Sequence, residues 1–134
     1  MIHIVLDTNI LISALLSPQG APARVLMMAL AEPDLQLCVS GAVYAEYDDV
    51  IRRPRFRRSD DEIDSALRAI RKQGFWVRTA TRVQACSDPS GNIFLECAEA
   101  AAAAYLVTGN VKHFPHSWAG THVVTAREFL DLVG

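Results

Sequence analysis

Short apolar runs alternate with helix-length segments along this chain, and that alternation restricts the fold more than any other feature. Ile2–Leu6 (IHIVL) is β-branched enough for a strand, and Thr8–Leu16 follows it as a helix. Ala21–Ala31 reads as a second helix after the loop Ser17-Pro18-Gln19-Gly20. Leu35–Val39 is the next strand, and Ser40 can cap a helix that runs to about Arg53, where Pro54 stops it. Ser59 and Glu62 have the spacing of a capping box and start a helix that ends at Gly74. Residues 75–77 predict a short strand, Asp88-Pro89 opens another helix, and 105–107 and 122–124 predict the last strands. Thr125 and Glu128 form a second capping box for the final helix. The five alanines at 100–104 fit a helix interior. Strands alternating with helices imply an α/β fold of three layers, a central and mainly parallel sheet of about five strands covered on both faces. We expect one domain spanning residues 1–134, with no repeat and no linker.

Composition excludes several classes. With 51% hydrophobic and 21% charged residues the chain is globular rather than disordered. A net charge of -2 rules out an overall polycation, so nucleic acid must be met by a local patch. Cys38, Cys86 and Cys97 form no CxxC pair, which fits thiols in a reducing compartment. No apolar run reaches transmembrane length and the N-terminus lacks a basic leader, so the expected location is cytoplasmic, away from any membrane.

In parallel sheets, ligands sit beyond the carboxyl ends of the strands. Asp7 ends the first strand, either as a helix N-cap or as a buried charge that needs a cation. Glu46 falls at the edge of the apolar stripe Val43, Tyr47, Val50 and Ile51, either as an outward-reaching glutamate or as a second oxygen ligand for a divalent ion. Asp88 before Pro89 fits an N-cap, and Asn110 fits a plain turn.

Four polar positions at successive strand ends say more together. LDTN after the first strand, AEY in the helix after the second, DPxxNxFLECA, YLVTG and the closing VVTAREFLDL resemble the PIN-domain family over nearly the whole chain, on the branch of toxins from toxin–antitoxin pairs. The resemblance implies a ribonuclease in which acidic side chains hold Mg²⁺ or Mn²⁺, and the metal activates a water and stabilises charge on the phosphodiester. It assigns Asp7 and Glu46 to the first two acidic positions and gives Thr8 and Asn9 a site-ordering role. The chain then departs from the pattern. Gly91 stands where the family has its third acid, and Asn110 stands where it has its fourth. Asn110 keeps a carbonyl oxygen, Gly91 has no side chain, and Asp88 is the nearest substitute ligand. Mg²⁺ keeps waters and needs few carboxylates, so a depleted, weakly binding site is the expectation. Glu96 falls opposite the inner face of its helix and is expected to face solvent.

On the substrate side, Arg52, Arg53, Arg55, Arg57 and Arg58 surround Phe56. They suit RNA phosphate and base, or equally a solvated helix end with favourable C-terminal cations. Lys112, His113 and His116 follow the Asn110 turn and can meet phosphate, whereas HxxH interrupted by Pro115 makes a poor zinc pair. The expected partners are RNA, an antitoxin protein and a second copy in a homodimer. Two other classes stay open: a non-catalytic RNA- or protein-binding domain, and a small-molecule phosphatase-like hydrolase.

Overall fold

The computed structural model describes the backbone of residues 1–134 and every side chain except that of Arg55. Six helices and six strands follow in the order β1 (Ile2–Leu6), α1 (Thr8–Leu16), α2 (Ala21–Ala31), β2 (Leu35–Val39), α3 (Gly41–Ile51), α4 (Asp60–Gln73), β3 (Phe75–Trp76), α5 (Asn92–Ala101), β4 (Tyr105–Val107), β5 (Ser117–Trp118), β6 (Thr121–Val124) and α6 (Ala126–Val133). The sheet order is β3-β2-β1-β4-β6-β5. All pairings are parallel except β5 with β6.

Ile4, Val5 and Leu6 are at most 1% exposed. Successive strand side chains point to opposite faces, so three consecutive buried residues require cover on both. Helix α5 packs on β1, β2 and β4, while α2 and α6 pack together, with α2 also on β2 and α6 on β4. Among the described residues, no single helix is long and apolar enough to cross a membrane.

Local chemistry explains the boundaries. Ser40 and Ser59 accept from the backbone N–H of Val43 and Glu62, capping α3 and α4. At α6 both halves of the capping box form. Four expectations need correction. The sheet has six strands, not five: Ala119 and Gly120 both have positive φ, the turn that joins a two-residue hairpin, and β5 is too short to show a period. Helix α3 stops at Ile51, two residues early, because Pro54 forces extended backbone on Arg53. Strand β3 ends at Trp76 although Val77 still donates to Val39. The alanine run is not helix interior: α5 ends at Ala101, Ala102 is left-handed at φ 49°, and Ala103 N–H closes the end on Ala98 at 2.9 Å.

Candidate metal and phosphodiester site

The first strand delivers Asp7 to the carboxyl edge of the sheet. Its backbone is extended and it stands at the N-cap position of α1, yet its side chain makes no capping bond. Instead Asp7 Oδ2 accepts from Thr108 Oγ1 at 2.7 Å and from Asn9 Nδ2 at 3.2 Å. Asn9 Oδ1 accepts from Gly109 N–H at 3.0 Å, and Thr108 Oγ1 accepts from Asn110 N–H at 3.0 Å. The ends of β1 and β4 are thus tied through the carboxylate. The hydroxyl of buried Tyr47 donates to the carbonyl of Leu6, which holds the backbone just ahead of Asp7.

A cleft of about 500 Å³ opens here. Asp7, Glu46, Asp88 and Asn110 all line it, with Thr8, Asn9 and Arg53. Glu46 and Val50 reach it from one face of α3, four residues apart, and Arg53 reaches it from the extended segment just after the helix. Asp88 accepts from Ser90 N–H at 3.1 Å and from Ser90 Oγ at 2.9 Å, so it caps the short turn Pro89–Gly91 while facing the cleft.

The electrostatics follow from crowding. Burial pushes the Asp7 carboxyl up, Thr108 pulls it down, and the charge of Asp88 raises it again. Burial also raises Glu46; Arg53 opposes this, while Asp49, Asp7 and Asp88 add to it. The Ser90 hydroxyl and N–H hold Asp88 below its ordinary range. Three carboxylates that feel one another are a cation's electrostatic complement. Among the described residues, however, no three His, Cys, Asp or Glu side chains are grouped tightly enough to hold a metal by themselves. The donor set fits a hydrated Mg²⁺ or Mn²⁺ that keeps several waters, and does not fit a dehydrated all-protein cage.

Position 91 is closed by more than the lack of a side chain. Gly91 is buried with ordinary helical dihedrals (φ -76°, ψ -19°). A Cβ there would lie 3.0 and 3.1 Å from two ring carbons of Phe114 and 3.3 Å from Cys86 Sγ. The dihedrals at this position permit a side chain, but the Phe114 ring would have to shift by a few tenths of an ångström to admit one.

Glu96 is also corrected. It is half-buried, and its Oε2 accepts from Val83 N–H at 3.0 Å. Asn92 Oδ1 accepts from Ala85 and Cys86 N–H at 3.2 and 3.0 Å. Together they fasten residues 83–86 to α5, and so set the approach to Asp88. Sequence reasoning gave no role to Thr108 or Asn92, and placed Tyr47 only in the apolar stripe of its helix. The partners of Thr108 and Tyr47 are distant in the chain, and those of Asn92 lie in a segment without regular structure, so YLVTG and DPSGN gave the only signals for the threonine and the asparagine.

The arginine cluster is largely committed to local acids. Arg52 bridges Asp48 and Asp64, both at 2.9 Å, Arg53 meets Asp49 at 3.3 Å, and Arg58 meets Glu62 at 3.6 Å. Arg57 is exposed in left-handed backbone, and the Arg55 side chain lies outside the described residues. Of these arginines, Arg53 lines the cleft. Lys112 is exposed beside the site, and its neighbour His113 lines it.

A mainly parallel sheet with an acidic cleft at its carboxyl edge defines a class of α/β domains whose site lies at the strand ends. The PIN domain family model matches residues 3–112, and the chain belongs to that family. Two solved structures are similar in fold. One is the crystal structure of VapBC2 from Rickettsia felis bound to a DNA fragment from their promoter, at 15% identity and TM-score 0.59, covering 91% of this chain and 98% of that one. The other is VapBC-1 from nontypeable Haemophilus influenzae, at 17% identity and TM-score 0.55, covering 84% and 90%. No curated protein matches this sequence at significant similarity.

Proposed function

We propose that this chain is a divalent-metal-dependent endoribonuclease and the toxin of a cytoplasmic toxin–antitoxin pair, with RNA as substrate, an antitoxin as partner and a homodimer as its assembly. The observation that carries the reading is the shared cleft: Asp7, Glu46 and Asp88 line one space, and the charge of Asp88 acts on the other two. Asp7, Glu46 and Asp88 would hold Mg²⁺ or Mn²⁺. When bound, the ion supplies an activated water and neutralises charge developing on the phosphodiester. Thr108 and Asn9 keep the Asp7 carboxylate in one orientation. Arg53 and His113 line the same cleft and offer donors to phosphate oxygens, and the rings of Phe94 and Phe114 give it apolar walls. The likeness in fold to VapBC assemblies supports an antitoxin partner.

The test is cleavage of end-labelled RNA with Mn²⁺ and with EDTA, by the parent and by Asp7→Asn. Cleavage should need Mn²⁺ and be lost in Asp7→Asn. Cleavage that persists in EDTA overturns the metal reading. Gly91 packed under Phe114 and the uncharged Asn110 favour one other reading, a non-catalytic RNA-binding domain, which RNA binding without cleavage would establish.

A further inference from the structure

A second group of cations lies outside the arginine cluster. Residues 65–87 hold Arg68, Arg71, Lys72, Arg78 and Arg82 and no acidic residue, although the chain as a whole has 13 basic and 15 acidic residues. All five are exposed, and among the described residues none pairs with a carboxylate. The same segment carries Phe75 and Trp76, exposed at 48% and 45% on the edge strand β3. Large exposed aromatics on an edge strand are a liability unless something covers them.

The aromatic side chains are held in place. Trp76 stacks obliquely on Tyr44 with ring centroids 5.4 Å apart, and its Nε1–H donates to the Arg71 carbonyl at 3.3 Å. The Arg71 guanidinium lies 5.8 Å above the Tyr44 ring and donates to its hydroxyl at 2.8 Å. Trp76 pairs with Val39, the last residue of β2, so it stands at the same carboxyl edge of the sheet as the cleft. Helix α3 serves both sides: Glu46 lines the cleft, and Tyr44, two residues earlier, meets Arg71 of α4.

We propose that Trp76, Tyr44 and Arg71, with the flanking cations, form a docking platform for single-stranded RNA, on which a base stacks against Trp76 while Arg71 and Arg78 meet phosphates. Ordered aromatics beside arginines that meet no carboxylate are what an unpaired base and its backbone require. An acidic protein segment would use the charges but has no need of the indole face. The proposal rests on RNA as the substrate and extends its path beyond the cleft.

The test is fluorescence anisotropy in EDTA with the full chain and a labelled 12-nucleotide oligouridine, the same strand paired to oligoadenosine, and a 12-residue polyglutamate peptide. Trp76→Ala should weaken the single strand by about 10-fold, in keeping with one lost base stack, and leave the duplex unchanged. Trp76→Phe should restore most of the affinity. Arg71→Gln with Arg78→Gln should reduce the slope of log affinity against log salt by about 1.4. Equal single-strand affinity for parent and Trp76→Ala overturns the proposal, as does an equal Trp76 dependence for polyglutamate. Mn²⁺-dependent cleavage with Trp76-independent affinity would sink the platform and spare the nuclease. Trp76-dependent binding without cleavage would do the reverse.

Discussion

Asp7 is costly to the metal-free fold. Because burial raises its carboxyl above the ordinary 3.8, the folded state holds that proton more tightly than the unfolded chain. Stability from this group is therefore greatest in acid and declines as pH rises from the ordinary carboxylate range through the raised folded value. In EDTA at neutral pH, Asp7→Asn should melt higher than the parent, and with Mn²⁺ the order should reverse, because the ion stabilises only the folded state that binds it. A melting series with and without Mn²⁺ reads both arms. Thr108 acts through Asp7, so Thr108→Val should weaken Mn²⁺ binding by about 10- to 100-fold, measured by calorimetry, without removing a ligand. Gly91→Ala should cost about 1–3 kcal/mol by overpacking against Phe114. Adding Phe114→Leu should recover part of that loss, and strict additivity in the double-mutant cycle would show the two positions to be uncoupled.

At the scale of elements, helix ends carry the clearest expectations. Ala102 is an exposed alanine in the left-handed region at the end of α5. Ala102→Gly removes the Cβ strain but adds unfolded-state entropy, so chemical denaturation should show a net gain of up to about 1 kcal/mol. Thr125→Ala removes the α6 cap and should cost about 1 kcal/mol. Its capping-box partner Glu128 is held below its ordinary 4.5 by the Thr125 N–H and hydroxyl. A depressed carboxyl contributes stability above its ordinary range and loses it as pH falls through the folded value. Glu128→Gln should therefore flatten the acid limb of the stability profile.

For the molecule as a whole, one hydrophobic cluster takes in residues from every helix and from β1, β2, β4 and β6. We expect a single cooperative unfolding transition, with far-ultraviolet circular dichroism and tryptophan fluorescence coinciding. Trp76 on β3 and Trp118 on β5 sit at opposite edges of the sheet, so a separately melting edge would split the two signals. Cys38 and Cys97 are buried, with thiols pushed up to about 11 and about 12 by desolvation, and should resist alkylation until that transition.

The period of side chains along IHIVL and LQLCV, and the capping pairs Ser59/Glu62 and Thr125/Glu128, are local properties, and a sequence determines them by itself. That is why the strand-helix order, the α/β class and the position of Asp7 directly after the first strand were legible in the sequence. The two-residue strand β5 was not, since two residues show no alternation. Nor could one sequence reveal which charges cancel: Arg52 is neutralised by Asp64, twelve residues away, while Arg71 finds Tyr44 across two helices. Only the tertiary structure decided that Thr108 holds Asp7 across 101 residues, and that Phe114 occupies the space beside Gly91. Those contacts are set by strand pairing and packing between distant segments, and nothing in the local sequence encodes the distance between them.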